Sequence, residues 1–289
     1  MFGMGGAFAY SECVECGSLS QVNPPSLSTY YPTNYYSMVE LPSPILKRIR
    51  HHLDWWAFRL PFHHGASLLP YLRRNGVRKS SKILDVGCGE GKMLRRLHCL
   101  GFTELTGVDP FVVAPTAENG MRILKQDLLE LDDEKFDVII LSHSLEHMDN
   151  PIETLTAARN LLRDNGKIVV QIPIVSFAWK RFGTKWVQLD APRHTSVFTY
   201  CGMTRATSSS GLRILKFRYD STAFQFWGSK AYLRGEYLSS SIVVPFSFHW
   251  IIEKIRFLPY ATFAWLLNRV KQGDQATFVL VDANSNDAR

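Results

Sequence analysis

In the middle of this chain, short runs of apolar and β-branched residues alternate with stretches whose apolar positions recur every three or four residues. The alternation begins abruptly at Lys82. Ile83–Val86, Glu104–Val108, Met121–Leu124, Phe136–Leu141 and Lys167–Ile172 read as strands. Gly91–Leu100 and Ile152–Leu162 read as the helices between them. The link from Asp109 to Met121 is short and contains Pro110, Pro115 and Gly120, so any helix there is brief. Strands alternating with helices predict an α/β fold, a doubly wound and mostly parallel sheet of seven strands covered on both faces.

The flanks read differently. Residues 1–44 form an irregular arm, rich in Ser, Pro and Tyr from residue 17 onward, with residues 1–25 expected to be poorly ordered. Residues 45–81 carry helical spacings broken around Pro61 and read as a helical cap with a basic face and Trp55, Trp56 and Phe58 in its core. Beyond Pro173 the pattern loosens. Phe198–Ser210 then reads as a helix, Leu212–Tyr219 as a strand and Gln275–Val281 as the last strand. Residues 224–270 are aromatic-rich and read as a helical insertion. The organisation expected is thus an arm (1–44), a cap (45–81), a core (82–220) and an insertion closed by the last strand (221–289).

Composition narrows the class. With 289 residues, 46% hydrophobic and 20% charged, the chain can bury a core, which excludes wholesale disorder. No uninterrupted apolar run reaches the roughly 18 residues that span a bilayer. The first ten residues hold no Lys or Arg, which argues against a secretory signal. Cys13, Cys16, Cys88, Cys99 and Cys201 are odd in number and scattered, as reduced thiols of a cytoplasmic protein would be. The net charge of +7 is not spread evenly. Residues 45–82 hold nine bases and one acid, whereas residues 83–200 hold 13 bases and 16 acids. The charge belongs to one arm, which fits an anionic, phosphate-bearing acceptor better than general nucleic-acid binding.

The strongest local signal is Asp85-Val86-Gly87-Cys88-Gly89-Glu90-Gly91, an apolar strand running through three alternate glycines into a helix. Glycine permits a tight turn and close approach of a ligand, and the helix start offers backbone amides to it. A dinucleotide fingerprint needs its third glycine where Lys92 stands, and no Gly-Lys-Ser/Thr of a P-loop follows.

This segment resembles motif I of the class I S-adenosylmethionine-dependent methyltransferases, and the later landmarks agree in order and spacing. The resemblance covers roughly residues 82–220 and implies a Rossmann-like fold with S-adenosylmethionine as cofactor and S-adenosylhomocysteine as product. It implies that Asp85, Gly87, Cys88, Gly89 and Gly91 form the cofactor loop, that Asp109 meets the ribose hydroxyls, and that Asp127 and Leu128 lie at the adenine. It implies too that Ser142, which opens the segment after the fourth strand, belongs to the cofactor-binding set.

Ser142-His143-Ser144-Leu145-Glu146-His147 is similar to the Glu-x-x-Glu-His element of some metal-dependent O-methyltransferases, with His143 in place of the first Glu. On one helical turn His143 and His147 would share a face, as metal ligands or acid–base partners do. With that Glu missing, no divalent metal is expected, and Glu146 and His147 are read as catalytic candidates. The stretch Trp186 … Asp190-Ala191-Pro192-Arg193-His194 resembles the acceptor region of methyltransferases linked to sugar and surface-polysaccharide modification. His194 is the first choice for general base, since a neutral imidazole accepts a hydroxyl proton near neutral pH. The alternative is that Asp190, Arg193 and His194 only tie the loop down.

Cys13-Val14-Glu15-Cys16-Gly17 is half of a four-cysteine zinc ribbon, and no second pair follows, so bound zinc is not expected. Basic and aromatic residues in 45–82 and 224–270 are read first as capping helices and second as a peripheral membrane contact. The expected activity is methyl transfer to a hydroxyl of a sugar, nucleotide sugar or glycolipid precursor. An RNA 2′-O-methyltransferase and a non-catalytic cofactor-binding partner subunit remain the alternatives.

Overall fold

The computed structural model describes residues 6–26, 30, 52, 54, 55, 67–131, 133–236, 238 and 248–285. The chain divides into two compact units, one formed by residues 1–30, 173–203 and 218–277 and the other by 31–172, 204–217 and 278–289.

The larger unit is built on a sheet in which β3 (Ile83–Val86), β4 (Leu105–Val108), β6 (Met121–Leu124), β7 (Phe136–Ser142) and β8 (Leu162–Pro173) run parallel. Its full order, with β10 (Leu212–Tyr219), β11 (Gln275–Asp282) and β5 (Thr116–Glu118), is β10-β11-β8-β7-β3-β4-β6-β5. All four residues of β3 and of β4 are buried, as strands with both faces covered must be. The helices α2 (Lys92–Cys99) and α3 (Pro151–Asn160) fall between the expected strands. Leu94 and Leu97, one helical step apart, put the inner face of α2 into the core. Pro151 opens α3, where its missing N–H costs nothing, and Asn150 Oδ1 accepts the Glu153 amide as cap.

The sheet has eight strands where the pattern predicted seven. The additional one, β5, pairs antiparallel with β6 and occupies the link read as too short for more than a brief helix. Asn119-Gly120 makes its turn, with Gly120 at φ 76° and the Glu118–Met121 pair closing it. A Cβ on Gly120 would lie 2.6 Å from the Thr103 carbonyl oxygen, so the turn excludes any larger residue. In the region read as a cap, α1 (Leu69–Arg74) sends Leu69 and Leu72 into the core cluster of α2 and β3. Asp54 forms a two-pronged ion pair with Arg96 of α2 at 2.6 and 2.7 Å. Trp55, partly buried, packs against the same core cluster. Of the helical stretch expected before α1, residues 52, 54 and 55 are helical, while Trp56 and Phe58 lie outside the described residues.

The smaller unit contains a surprise in the arm. The hairpin β1 (Tyr10–Glu12) and β2 (Leu19–Gln21) replaces the poorly ordered segment expected there, and β2 adds antiparallel to β9 (Ser196–Val197). Backbone pairing and burial of Leu19 among Trp186, Leu189 and Val197 supply the order that the polar composition hid. Around that cluster lie α4 (Phe177–Phe182), α6 (Phe224–Leu233) and α7 (Phe248–Arg269), so the stretch read as a helical insertion is helical in α6 and α7. The helix α5 (Tyr200–Ser209) follows β9.

Candidate functional site

In the larger unit the chain leaves β3 through Gly87, Gly89 and Gly91, at φ 72°, 51° and 75°, all in the left-handed region that penalises a Cβ. At Gly87 a Cβ would also stand 2.5 Å from Ser144 Cβ, and at Gly91 it would run into the end of Ile123. Gly107, on β4, is close-packed under the loop, since a Cβ there would meet Cys88 Sγ at 2.6 Å. The cradle is therefore glycine-lined on steric grounds, and its floor is closed by side chains from neighbouring strands.

Asp109 organises this loop from the end of β4. Its Oδ2 accepts the Gly89 amide at 2.9 Å and its Oδ1 accepts the Phe111 amide at 2.8 Å. Each carboxylate oxygen has two acceptor positions, so one on each is left for a pair of hydroxyls. Asp85 is buried beneath the loop, and its carboxyl is pushed up to about 7 by burial and by the neighbouring charge of Asp109. Burial, with the charges of Asp85, Asp109 and Glu90, pushes the Cys88 thiol up. Three carboxylates thus converge on one glycine loop, and Glu90 Oε1 is buried there with no hydrogen-bond partner. That electrostatic field favours a cationic ligand.

The adenine-side residues behave less simply. Asp127 caps a short 3-10 turn: its Oδ1 accepts the Leu129 amide at 2.9 Å, and Glu130 reaches back to the Asp127 amide at 3.0 Å. One Asp127 oxygen is therefore committed to the cap. Leu128 turns its side chain into the interior, which leaves its main chain as the part a ligand would meet. Ser142 Oγ donates to Gln171 Oε1 at 3.3 Å, and the Gln171 carbonyl accepts the His143 amide at 2.8 Å.

The expected helical pairing of His143 with His147 is not what the chain forms. His143 sits at φ 54°, and the turn Leu145–His147 is a 3-10 helix that begins after it. A left-handed residue outside the helix breaks the four-residue spacing. Glu146, 1% exposed, instead faces His143 Nδ1 at 3.4 Å.

His194 lies in the smaller unit, in a buried polar cluster. Its Nδ1 is 2.8 Å from the Gln188 carbonyl, which can only accept, so Nδ1 carries the proton and Nε2 the lone pair of the neutral ring. Asp190 Oδ2 is 3.9 Å from Nε2 and forms a close ion pair with Arg193, which is itself 2% exposed. Gln188 is in turn held by Asp274, whose Oδ2 accepts from Gln188 Nε2 at 2.7 Å and from Trp186 Nε1 at 2.9 Å. Burial pushes the Asp274 carboxyl up. The hairpin also reaches this segment. Tyr10 donates its hydroxyl to the His194 carbonyl at 2.7 Å, and the Gln21 amide donates to the Thr195 carbonyl at 2.8 Å. Sequence reading missed Tyr10, Gln188 and Asp274. The only cue was an acid, Asp274, placed just before an apolar strand.

Cys13 and Cys16 sit in the turn of the hairpin. The amides of Cys16 and Glu15 point at Cys13 Sγ and hold its thiol below the usual range. A tetrahedral zinc needs four donors. Among the described residues no group of three metal-ligating side chains includes this pair.

Three comparisons bear on these sites. A family model described as a methyltransferase domain matches residues 49–216. The chain is 35% identical over 130 residues to a ubiquinone biosynthesis O-methyltransferase of Nitrosococcus oceani, covering 39% of this chain and 54% of that protein. It is 29% identical over 127 residues to the same-named protein of Cereibacter sphaeroides, covering 39% and 51%. The chain thus spans about half the length of the curated relatives it matches. In fold it is similar to a geranyl diphosphate methyltransferase solved in complex with S-adenosylmethionine, with a TM-score of 0.51, 14% identity, and 82% and 87% of the two chains covered.

Proposed function

The chain belongs to the methyltransferase-domain family, and from that premise we propose that it transfers a methyl group from S-adenosylmethionine to a hydroxyl of a small acceptor. The observation that carries the reading is the glycine cradle with three carboxylates around it, a site shaped for close backbone approach and charged for a cation. The curated relatives, named as O-methyltransferases, support a hydroxyl as the acceptor atom.

When bound, S-adenosylmethionine supplies a methyl group already activated on a positively charged sulfur. The chain's own residues then have three tasks. Asp109 receives the ribose hydroxyls on its two remaining acceptor positions while holding the Gly89 amide in place. Asp85 and Glu90 oppose the positive charge from below and beside the loop, and Asp127 offers its second oxygen to an amino group. In the smaller unit His194 accepts the proton of the acceptor hydroxyl at Nε2, and Asp190 favours the imidazolium that results. Glu146 holds His143 and so shapes the segment after β7, with His147 beside it. Positioning accounts for most of the rate, because a hydroxyl aligned with an activated methyl needs little covalent help.

The acceptor we favour is a sugar, nucleotide sugar or glycolipid precursor, with phosphate meeting the basic arm at 45–82. The polar cluster of Asp190, Arg193 and His194 supports it, since such groups suit a polyhydroxylated ligand. Neither a divalent metal nor zinc enters this reading. We place the protein in the cytoplasm with peripheral contact at a membrane; no helix among the described residues is long and apolar enough to cross one.

The test is calorimetry with S-adenosylmethionine, followed by methyl-labelled cofactor with nucleotide sugars, polyprenyl-linked glycans, a ubiquinone-precursor phenol and RNA offered as acceptors. Label in a sugar-bearing acceptor is expected. Label only in the phenol or in RNA replaces the acceptor class, and binding with no transfer to any acceptor leaves a cofactor-binding partner subunit.

A further inference from the structure

The helix α7 is apolar on two sides and covered on one. Ala264 and Leu267 are 1% and 6% exposed and join the cluster of Trp186 and Phe226. Leu258 (63%), Phe263 (42%), Trp265 (38%) and Leu266 (46%), with Ala261 and Thr262 among them, lie exposed over about 200° of the circumference, and Val270 (63%) follows just past the helix end. A helix that is hydrophobic all round is normally buried all round, whereas a surface helix turns a charged face to water. Here the outer face has no acid at all between residues 257 and 272. Its only charges are Arg269 and Lys271, and the Arg269 guanidinium is stacked 4.1 Å from the Trp265 ring centroid.

The sequence that leads into this face continues the same chemistry. Residues 237–272 contain eight aromatic residues, four bases and a single acid, Glu253. Exposed Trp and Leu beside Arg and Lys, with no carboxylate to repel phosphate, match the interface of an anionic bilayer: rings and aliphatic chains enter the headgroup boundary while the cations meet lipid phosphates. A water-facing role would not keep several large apolar groups uncovered together. A helix apolar on both sides is also ill suited to a polar partner protein, and the charge selects lipid phosphate over a neutral apolar surface.

We infer that the outer face of α7, centred on Trp265, Leu266 and Arg269 with Val270 just past its end, lies on the surface of an anionic membrane, with the helix parallel to the bilayer. This gives the peripheral membrane contact proposed above, on which it rests, a definite surface, and it does not depend on methyl transfer.

The experiment is sedimentation of the full chain with vesicles of phosphatidylcholine alone and of phosphatidylcholine mixed with phosphatidylglycerol. Binding to the mixed vesicles is expected, weakening with added salt. The double substitution Trp265→Ser and Leu266→Ser should lower partition at least ~tenfold. Arg269→Glu should lower partition onto the mixed vesicles about fivefold or more, with little effect on the neutral ones. Ile152→Ser, at an exposed apolar position of the other unit, should bind as the parent does. Calorimetry with S-adenosylmethionine on every variant separates a misfolded chain, and the cofactor reading itself, from a lost lipid contact. Failure to sediment with anionic vesicles overturns the inference. So does retained binding by the Trp265/Leu266 variant, or self-association that Trp265→Ser abolishes in a protein that ignores lipid.

Discussion

Asp109 and Gly89, on different turns of the larger unit, are joined by a 2.9 Å hydrogen bond from the Gly89 amide to Oδ2, so one carboxylate both shapes the loop and faces the ligand. Asp109→Ala should therefore weaken S-adenosylmethionine binding at least ~tenfold, because a charge-assisted loop contact and the ribose acceptors go together. Asp109→Asn keeps an acceptor oxygen and should fall between. Calorimetric titration measures both, and an unchanged dissociation constant for the alanine variant would remove Asp109 from the site.

Gly87 tests the cradle by sterics alone. Gly87→Ala adds a Cβ 2.5 Å from Ser144 Cβ at a left-handed position, φ 72°. Ser144 is buried, so the loop must move instead. Cofactor affinity should drop by more than ~tenfold, with a stability loss of about 1–2 kcal/mol from backbone strain. The double variant Gly87→Ala with Ser144→Gly should recover part of the affinity, which a purely destabilised chain would not do.

The carboxyl of Asp85 sets a pH dependence. Its folded value of about 7 lies above the ordinary 3.8, so the folded chain keeps a proton that the unfolded chain has released in between. The stability it contributes is full below about 3.8 and is lost as pH rises through about 7, at about 1.4 kcal/mol per unit. A cationic ligand reverses the preference by favouring the ionised carboxylate. S-adenosylmethionine should bind more tightly at pH 8 than at pH 6 and release a proton at the lower pH. Titrations in buffers of different ionisation enthalpy read that proton directly. Equal affinity at both pH values, with no proton released, would contradict the assignment.

His194 is assigned by tautomer. With Nδ1 donating to the Gln188 carbonyl, His194→Ala should leave cofactor affinity intact while turnover with the acceptor falls ~100-fold or more. Long-range 1H–15N spectra should show the neutral ring protonated at Nδ1. Asp274 supports the same segment through Gln188 and Trp186. Asp274→Ala leaves the buried Trp186 Nε1 without its acceptor and Gln188 Nε2 with only the longer 3.3 Å contact to the residue-274 carbonyl, and should lower unfolding stability by about 1–3 kcal/mol. A stable alanine variant with an unchanged His194 spectrum would show that Asp274 does not anchor it.

Much of the larger unit was readable in advance because local and global signals agree there. Parallel strands buried on both faces declare themselves as continuous apolar runs, and glycines at alternate positions announce a loop that no other residue can form. What was hidden depends on pairing between distant segments. The hairpin at Tyr10–Gln21 owes its order to β9, almost two hundred residues later, and nothing in its polar sequence reports that partner. The strand β5 was signalled by Asn119-Gly120, but the prolines upstream outweighed that turn signal. The pairing of His143 with His147 failed for a local reason. A residue in the left-handed region cannot be inferred from helical spacing, so the shared face existed only on the assumption of a regular helix. Asp274 and Gln188 were invisible as supports of His194 because their link to it exists only in three dimensions.

Cys13 offers a test that needs neither cofactor nor acceptor. Its thiol is exposed in the turn of the hairpin, with the amides of Cys16 and Glu15 aimed at Sγ. Amide donors stabilise the thiolate, which is the reactive form, so the thiol is held below its usual range. Cys99 and Cys201 are also exposed, so exposure alone predicts equal labelling of all three. Burial and the carboxylates around the glycine loop push the Cys88 thiol the other way. A short pulse of iodoacetamide at pH 7, followed by peptide mass spectrometry, should label Cys13 first and Cys88 last. Cys16→Ser keeps both amides and puts a hydroxyl donor in place of the Cys16 thiol that also faces Cys13, so Cys13 should stay fast. Labelling of Cys99 or Cys201 ahead of Cys13 would show that the turn does not hold this thiol as the amide geometry requires.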